Sequence, residues 1–261
     1  MERTNVVVLA AGRGTRLREL GEERQKWLLE VEGVRIADRQ LTAVERSAAR
    51  APGAVHVHVV TGHAAAGIER FVRERASALT VQLVPNPEYA RLNNWYSLLV
   101  ALHALAPEPP GRLVVFNSDL CADPAWFEAF LCAAAATGEE TLIGVDTGRA
   151  VTDESMKVSL RDPGADGPGH LGLIGKAGVA DAVGEYVGMF MARGHALDAL
   201  RRALEAFVDD PGARDRWYED AIGRSAAAGT PWVIWPTPDS RWVEIDDARD
   251  HAAARRALAG G

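Results

Sequence analysis

Short β-branched runs alternate with longer helical stretches along more than half of the chain, and that alternation restricts its fold more than any other feature. Branched apolar runs at residues 5–10, 55–61, 81–84, 113–116 and 141–145 are separated by helix-spaced segments at 36–50, 64–76, 94–105 and 124–136. Strands that alternate with helices build βαβ units, whose crossovers cover both faces of a sheet. The expectation is an α/β fold: an α/β/α sandwich around a mixed, mostly parallel sheet.

Beyond about residue 150 the texture changes. Residues 156–160 and 171–174 read as a hairpin joined through a glycine-rich stretch ending at Pro168, and residues 150–190 are the expected place of a small acceptor-binding lobe. A strand at 186–191, helical stretches at 195–208 and 214–228, a strand at 232–235, the segment RWVEID and a final helix from Asp247 complete the pattern. With 48% hydrophobic and 25% charged residues, the 261 residues suit one domain with a single main core. The alanine-rich segments 133–136 and 252–258 keep helical spacing and read as plain helices.

A formal charge of −7 argues against binding nucleic acid or an anionic membrane, both of which need a surplus of Lys and Arg. The two cysteines, Cys121 and Cys132, fall in a stretch that reads as helical and suggest neither a disulfide framework nor a zinc site, so a cytoplasmic setting is expected. The apolar run near the start is too short for a signal segment and no long apolar span occurs, so neither export nor membrane insertion is expected. His56 and His58 share a strand face, yet without a nearby Cys or acid they read as structural.

The stretch VVVLAAGRGTRL, residues 6–17, carries an apolar strand straight into a glycine-rich turn. Glycine lets such a turn present backbone N–H groups to phosphate oxygens. A dinucleotide fingerprint would need a small residue where Leu17 stands and an acid at the end of the second strand, which instead reads VVTGH. Arg13, Arg16 and Lys26 place three cations near the turn, a better match for a triphosphate than for a pyrophosphate.

LAAGRGTRL followed by QKWLLEVEG resembles the signature of the nucleotidyltransferase family that activates sugar phosphates and small phosphorylated alcohols with nucleoside triphosphates. VVTGH, NPEYARLNNWYSL, FNSDL, DESMKV, LIGK, GEYVGMF, WYEDAI and WVEIDDARD follow in the family's order over nearly the whole chain. NNWYSL and the small size resemble the branch of phosphocholine and phosphonate cytidylyltransferases. One departure is Gln25, where the family carries proline, which leaves the approach to Lys26 less rigidly preset.

The resemblance implies a Rossmann-like domain that transfers CMP from CTP to a small phosphate or phosphonate acceptor, such as phosphocholine or 2-aminoethylphosphonate, and releases pyrophosphate. Both partners are anions, so charge neutralisation is the main chemical task. Arg16, Lys26 and Lys176 are the catalytic cations it implies, with Ala11, Gly12, Gly14, Asn94 and Ser97 around the nucleotide. Asp119 and Asp246, both at strand ends, are the expected Mg2+ ligands. Asp123 is the better cap for the helix that Pro124 opens, whereas Asp246 and Asp247 compete as caps of the last helix. Only three lysines occur against twenty-six arginines, and all three fall on matched motifs.

For the acceptor the candidates are Lys157, Glu185, Tyr186, Trp217, Tyr218, Glu219, Asp220 and Trp242, with Trp95 and Tyr96 in the same aromatic supply. Aromatic faces and acids together suit an amine or quaternary ammonium head group, although most large aromatics belong to the core. A homodimer is among the states the resemblance allows. Two rivals remain at this point: a sugar-1-phosphate nucleotidyltransferase, and a non-catalytic nucleotide-binding regulatory protein.

Overall fold

The structure, a computed structural model, describes residues 3–14, 25–50, 53–105, 111–164 and 169–259. Its strands are β1 (Thr4–Ala10), β2 (Glu30–Val31), β3 (Val34–Arg35), β4 (Val55–Thr61), β5 (Thr80–Pro85), β6 (Arg112–Asn117) and β7 (Leu120–Ala122), followed by β8 (Thr141–Asp146), β9 (Lys157–Leu160), β10 (Leu171–Gly175), β11 (Gly184–Arg193), β12 (Ile234–Pro236) and β13 (Trp242–Glu244). The helices are α1 (Ile36–Arg50), α2 (Ala65–Glu74), α3 (Asn94–Leu105), α4 (Pro124–Ala136), α5 (Gly194–Glu205), α6 (Tyr218–Ala227) and α7 (Ala248–Leu258).

Nine strands form one sheet in the order β10-β9-β11-β6-β1-β4-β5, with β8 on β11 and β12 on β8. The β6-β1-β4-β5 block is parallel, and β11 runs antiparallel to β6, β8 and β9. Side chains alternate across a strand, so β1 feeds two cores. Val6, Val8 and Ala10 join residues of α1, α2, α4 and α7 on one face, while Val7 and Leu9 join those of α3, α5 and α6 on the other. This is the expected α/β/α sandwich, and the β9–β10 hairpin lies at one edge of its sheet.

Two local readings change. Cys121 lies in β7, not in a helix: Pro124 can open a helix but forces the residue before it to stay extended, so Leu120–Ala122 pairs with β13 instead. Asp123 stands at the N-cap of α4 without a side-chain capping bond and lies 3.8 Å from Arg39 Nη1. Among the described residues no helix is long and apolar enough to cross a membrane, and both cysteines are free thiols.

The sheet's parallel block sends the turns after β1, β4 and β6 out at one end. Because β11 is antiparallel to β6, its first residues arrive at that same end. Gly188 marks where β11 leaves β6; its φ of +81° is open to glycine and strained for other residues.

Candidate active site

A cavity of about 800 Å3 opens at this end of the sheet. Ala11, Gly12 and Gly14 line one wall, with Gly14 at φ +54°. Arg16 lies outside the described residues. The chain resumes at Gln25, whose backbone sits at φ −64°, the angle a proline would impose. Its buried side chain also donates to the carbonyls of Gly12 and His63. Gln25 thus holds by two hydrogen bonds a conformation that a ring would hold covalently.

Lys26 opens a short helical turn in which Trp27 points into the core. Trp27 Nε1 donates to Gln40 Oε1 at 2.9 Å, and Gln40 Nε2 donates to the carbonyls of Asn117 and Leu120 at 2.9 and 3.0 Å. One buried amide therefore fixes Lys26 relative to the β6–β7 turn that carries Asp119. Lys26 Nζ lies 2.9 Å from Asp119 Oδ2 and also donates to Asp246 Oδ1. Burial lowers the pKa of this ammonium, but the two aspartates outweigh it and hold the group above its usual value.

The competition for the cap of α7 falls to Asp247, which accepts from the N–H groups of Arg249 and Asp250, while Asp250 accepts from those of Asp246 and Asp247. Asp246 turns its carboxylate to Lys26. Glu244, two residues earlier, joins them: carboxylate oxygens of Asp119, Glu244 and Asp246 lie within 4.8 Å of one another. Glu244 is exposed where it borders the cavity. Desolvation by the surrounding walls, then the charges of Asp119 and Asp246, push its pKa up to about 8, against the opposing effect of Lys26. Among the described residues, three carboxylates around the Lys26 ammonium form an all-oxygen donor set, which fits a hard divalent cation such as Mg2+.

Asn94 and Ser97 also line the cavity, yet both side chains are engaged with protein. Asn94 Oδ1 accepts from Tyr218 N–H at 3.0 Å and Ser97 Oγ from Asn86 Nδ2 at 2.9 Å. Across the cavity, Lys176 Nζ lies 3.3 Å from Glu154 and 5.7 Å from the centre of the Trp217 ring. Lys157 does not line the cavity; its ammonium donates to the Lys176 carbonyl at 2.8 Å and so supports the loop.

Glu185, Tyr186, Trp217, Glu219 and Trp242 line the remaining wall. Trp242 Nε1 donates to buried Asp146 at 2.7 Å, and the Arg149 guanidinium covers its ring at 5.0 Å. Tyr218 is sealed in the core, where its hydroxyl donates to Asn117 Oδ1 and accepts from Tyr186. Asp220 stays outside the cavity and accepts the Trp217 N–H at 2.9 Å, capping α6. Burial raises the pKa of Glu185, and raises that of Glu219 to about 7.

Glu244, Arg149, Glu154 and Tyr89 line the cavity without having been singled out from sequence. Glu244 had a readable signal, since residues two apart on a strand share a face and Asp246 was already a candidate. Arg149 and Glu154 sit in an irregular loop, where no periodicity announces a direction.

Two curated relatives match 95% of the chain. A CMP-5'-(3-aminopropyl)phosphonate synthase of Streptomyces rubellomurinus is 25% identical, and a bifunctional IPC transferase and DIPP synthase of Rubrobacter xylanophilus is 28% identical. The chain spans 38% and 50% of their respective lengths. Among solved structures, a CTP:phosphocholine cytidylyltransferase from Streptococcus pneumoniae superposes with a TM-score of 0.73 at 18% identity, covering 98% of this chain and 99% of that one. An apo UDP-glucose pyrophosphorylase gives 0.74 at 13% identity and covers 98% of each chain. At such identities the likeness concerns the fold alone. Residues 6–221 match the MobA-like NTP transferase domain, and the chain belongs to that family.

Proposed function

We propose that this chain is a Mg2+-dependent cytidylyltransferase that joins CMP from CTP to a small phosphate or phosphonate acceptor bearing a cationic group, with release of pyrophosphate. The observation that carries the reading is the Lys26–Asp119–Glu244–Asp246 cluster at the end of the glycine-rich turn, facing Lys176 across one cavity. The donor preference is supported by the curated relative named for a CMP-linked phosphonate product.

The chemistry asks two anions to meet. An acceptor oxygen attacks the α-phosphorus of CTP, the bond to the pyrophosphate oxygen breaks, and negative charge grows on the leaving group. Backbone N–H groups of the Gly12–Gly14 turn point donors at the phosphates. Lys26 supplies a charge next to the reacting phosphoryl group, and Lys176 neutralises the incoming acceptor from the opposite wall. Asp119, Glu244 and Asp246 would hold Mg2+, which when bound draws phosphate oxygens together and offsets their charge. Glu185 and Glu219 offer negative charge to the cationic end of the acceptor.

Pyrophosphate release with Mg2+, measured for four nucleoside triphosphates against phosphocholine, 2-aminoethylphosphonate and glucose 1-phosphate, tests the reading. Release with CTP and an amino or ammonium acceptor, lost in Asp119→Ala, is the expected result. Release confined to glucose 1-phosphate, or unchanged in Asp119→Ala, overturns it.

A further inference from the structure

Among the described residues, the acceptor wall holds one buried polar atom without a hydrogen-bond partner. Glu219 is 5% exposed, lines the cavity, and its Oε2 has no hydrogen-bond partner among the described residues. A buried acceptor left unpaired is costly, and in folded proteins nearly all such atoms find a donor. The backbone, Tyr218 and Asn94 stabilise the carboxylate by hydrogen bonds that leave Oε2 without a partner among the described residues, and its charge is felt by Tyr186 and Glu244. Glu219 therefore borders the same cavity as the Lys26–carboxylate cluster.

Two kinds of cation ask for different surroundings. A primary ammonium brings N–H donors and suits an unpaired carboxylate oxygen. A quaternary ammonium has no N–H to donate and is held by open aromatic faces. Here those faces are taken by the chain's own cations: Arg149 covers Trp242 at 5.0 Å and Lys176 covers Trp217 at 5.7 Å. Tyr218 is sealed in the core, and the Tyr186 hydroxyl is bonded to it. Tyr89 packs over Gly62 and beside His63, on the side of the glycine-rich turn.

We infer that Glu219 selects acceptors with a primary ammonium, such as aminoalkyl phosphates or phosphonates, and that the site discriminates against quaternary ammonium. This rests on the cytidylyltransferase reading above. Glu219 is then a specificity-determining residue, with the Arg149–Trp242 and Lys176–Trp217 stacks closing the alternative.

The test is a methylation series on one acceptor: phosphoethanolamine and its N-methyl, N,N-dimethyl and N,N,N-trimethyl forms, each with CTP and Mg2+. In the wild-type protein kcat/KM should fall at least about tenfold from the first to the last member, the loss expected for an unpaired charged hydrogen bond. Glu219→Gln should lose about tenfold on the ammonium acceptor, mainly through KM, and much less on the trimethylated one, so the preference flattens. Equal or better use of the trimethylated acceptor by the wild-type protein overturns the inference without needing the variant to fold. So does an equal loss on all four acceptors in Glu219→Gln. Turnover of glucose 1-phosphate with none of the four, or of no acceptor at all, overturns the cytidylyltransferase reading and this inference with it.

Discussion

Replacing Lys26 by methionine keeps the length of the side chain and removes its charge. Three carboxylates whose oxygens lie within 4.8 Å of one another would then lose the ammonium that Asp119 and Asp246 share. At an effective dielectric constant near 20, one ion pair at 2.9 Å is worth about 6 kcal/mol before desolvation is counted. The side chains of Lys26, Asp119 and Asp246 retain 16%, 18% and 27% exposure, so water screens part of that. A net loss of about 3 kcal/mol is reasonable for breaking a largely buried pair. At about 2–4 °C per kcal/mol for a chain of this size, Lys26→Met should melt roughly 6–12 °C below the wild-type protein in a chelator. Adding millimolar Mg2+ should restore most of the difference, and should raise the wild-type melting temperature less, because the ammonium already holds the cluster. A lysine that served only the triphosphate would cost turnover and leave the melting temperature alone, the outcome that the motif by itself suggests. Differential scanning calorimetry with chelator and with Mg2+ decides: melting within about 2 °C of wild type in the chelator would mean that the Lys26 ion pairs add nothing to the fold.

Two further substitutions probe the frame around the site. His58 is buried and its Nε2 bonds Asn5 Oδ1 at 3.0 Å; burial, helped by His56 and Arg3, lowers its pKa to about 4. Folded pKa lies below unfolded pKa, so the neutral ring's contribution is complete above about pH 6.5 and fades as pH falls towards 4, by about 3 kcal/mol in all; urea melts of His58→Gln should show a shallower acid dependence, and parallel pH profiles would refute the assignment. In Gly188→Ala the new Cβ would stand 2.7 Å from Asn117 Nδ2 at φ +81°, so a loss of about 2–3 kcal/mol and a lower kcat/KM are expected, whereas wild-type stability would show that β11 relaxes there freely.

Much of the scaffold was legible because its signals are local. The helices at Ile36–Arg50, Asn94–Leu105 and Pro124–Ala136 begin and end where periodicity and proline placed them. The two aspartates were readable because each closes an apolar strand. What could not be read was decided by packing between distant segments. Trp217 and Tyr218 are adjacent, yet the first is 37% exposed and lines the cavity while the second is fully sealed. The reason is the start of α6: Trp217 is its extended N-cap, and Tyr218, the first helical residue, turns towards Asn117 on β6. No pattern within the segment carries that distinction.

The scarcity of lysine is the exception, a compositional signal whose meaning becomes physical in the structure. Lys26 bridges two carboxylates, Lys176 lies across the cavity from it, and Lys157 donates to the Lys176 carbonyl. Arginine performs a different task elsewhere: Arg46 and Arg50 grip Glu128, and Arg75 forks onto Glu45. Those are fixed ion pairs, for which a planar guanidinium loses little freedom on pairing. A compact ammonium on a flexible stem can exchange one oxygen partner for another at small cost, which a site handling incoming phosphates needs and a permanent surface clamp does not. The division of labour between the two cations therefore follows from how often each must let go, and on the proposed function it sets Lys26 and Lys176 where partners change, with Lys157 supporting the loop of the second.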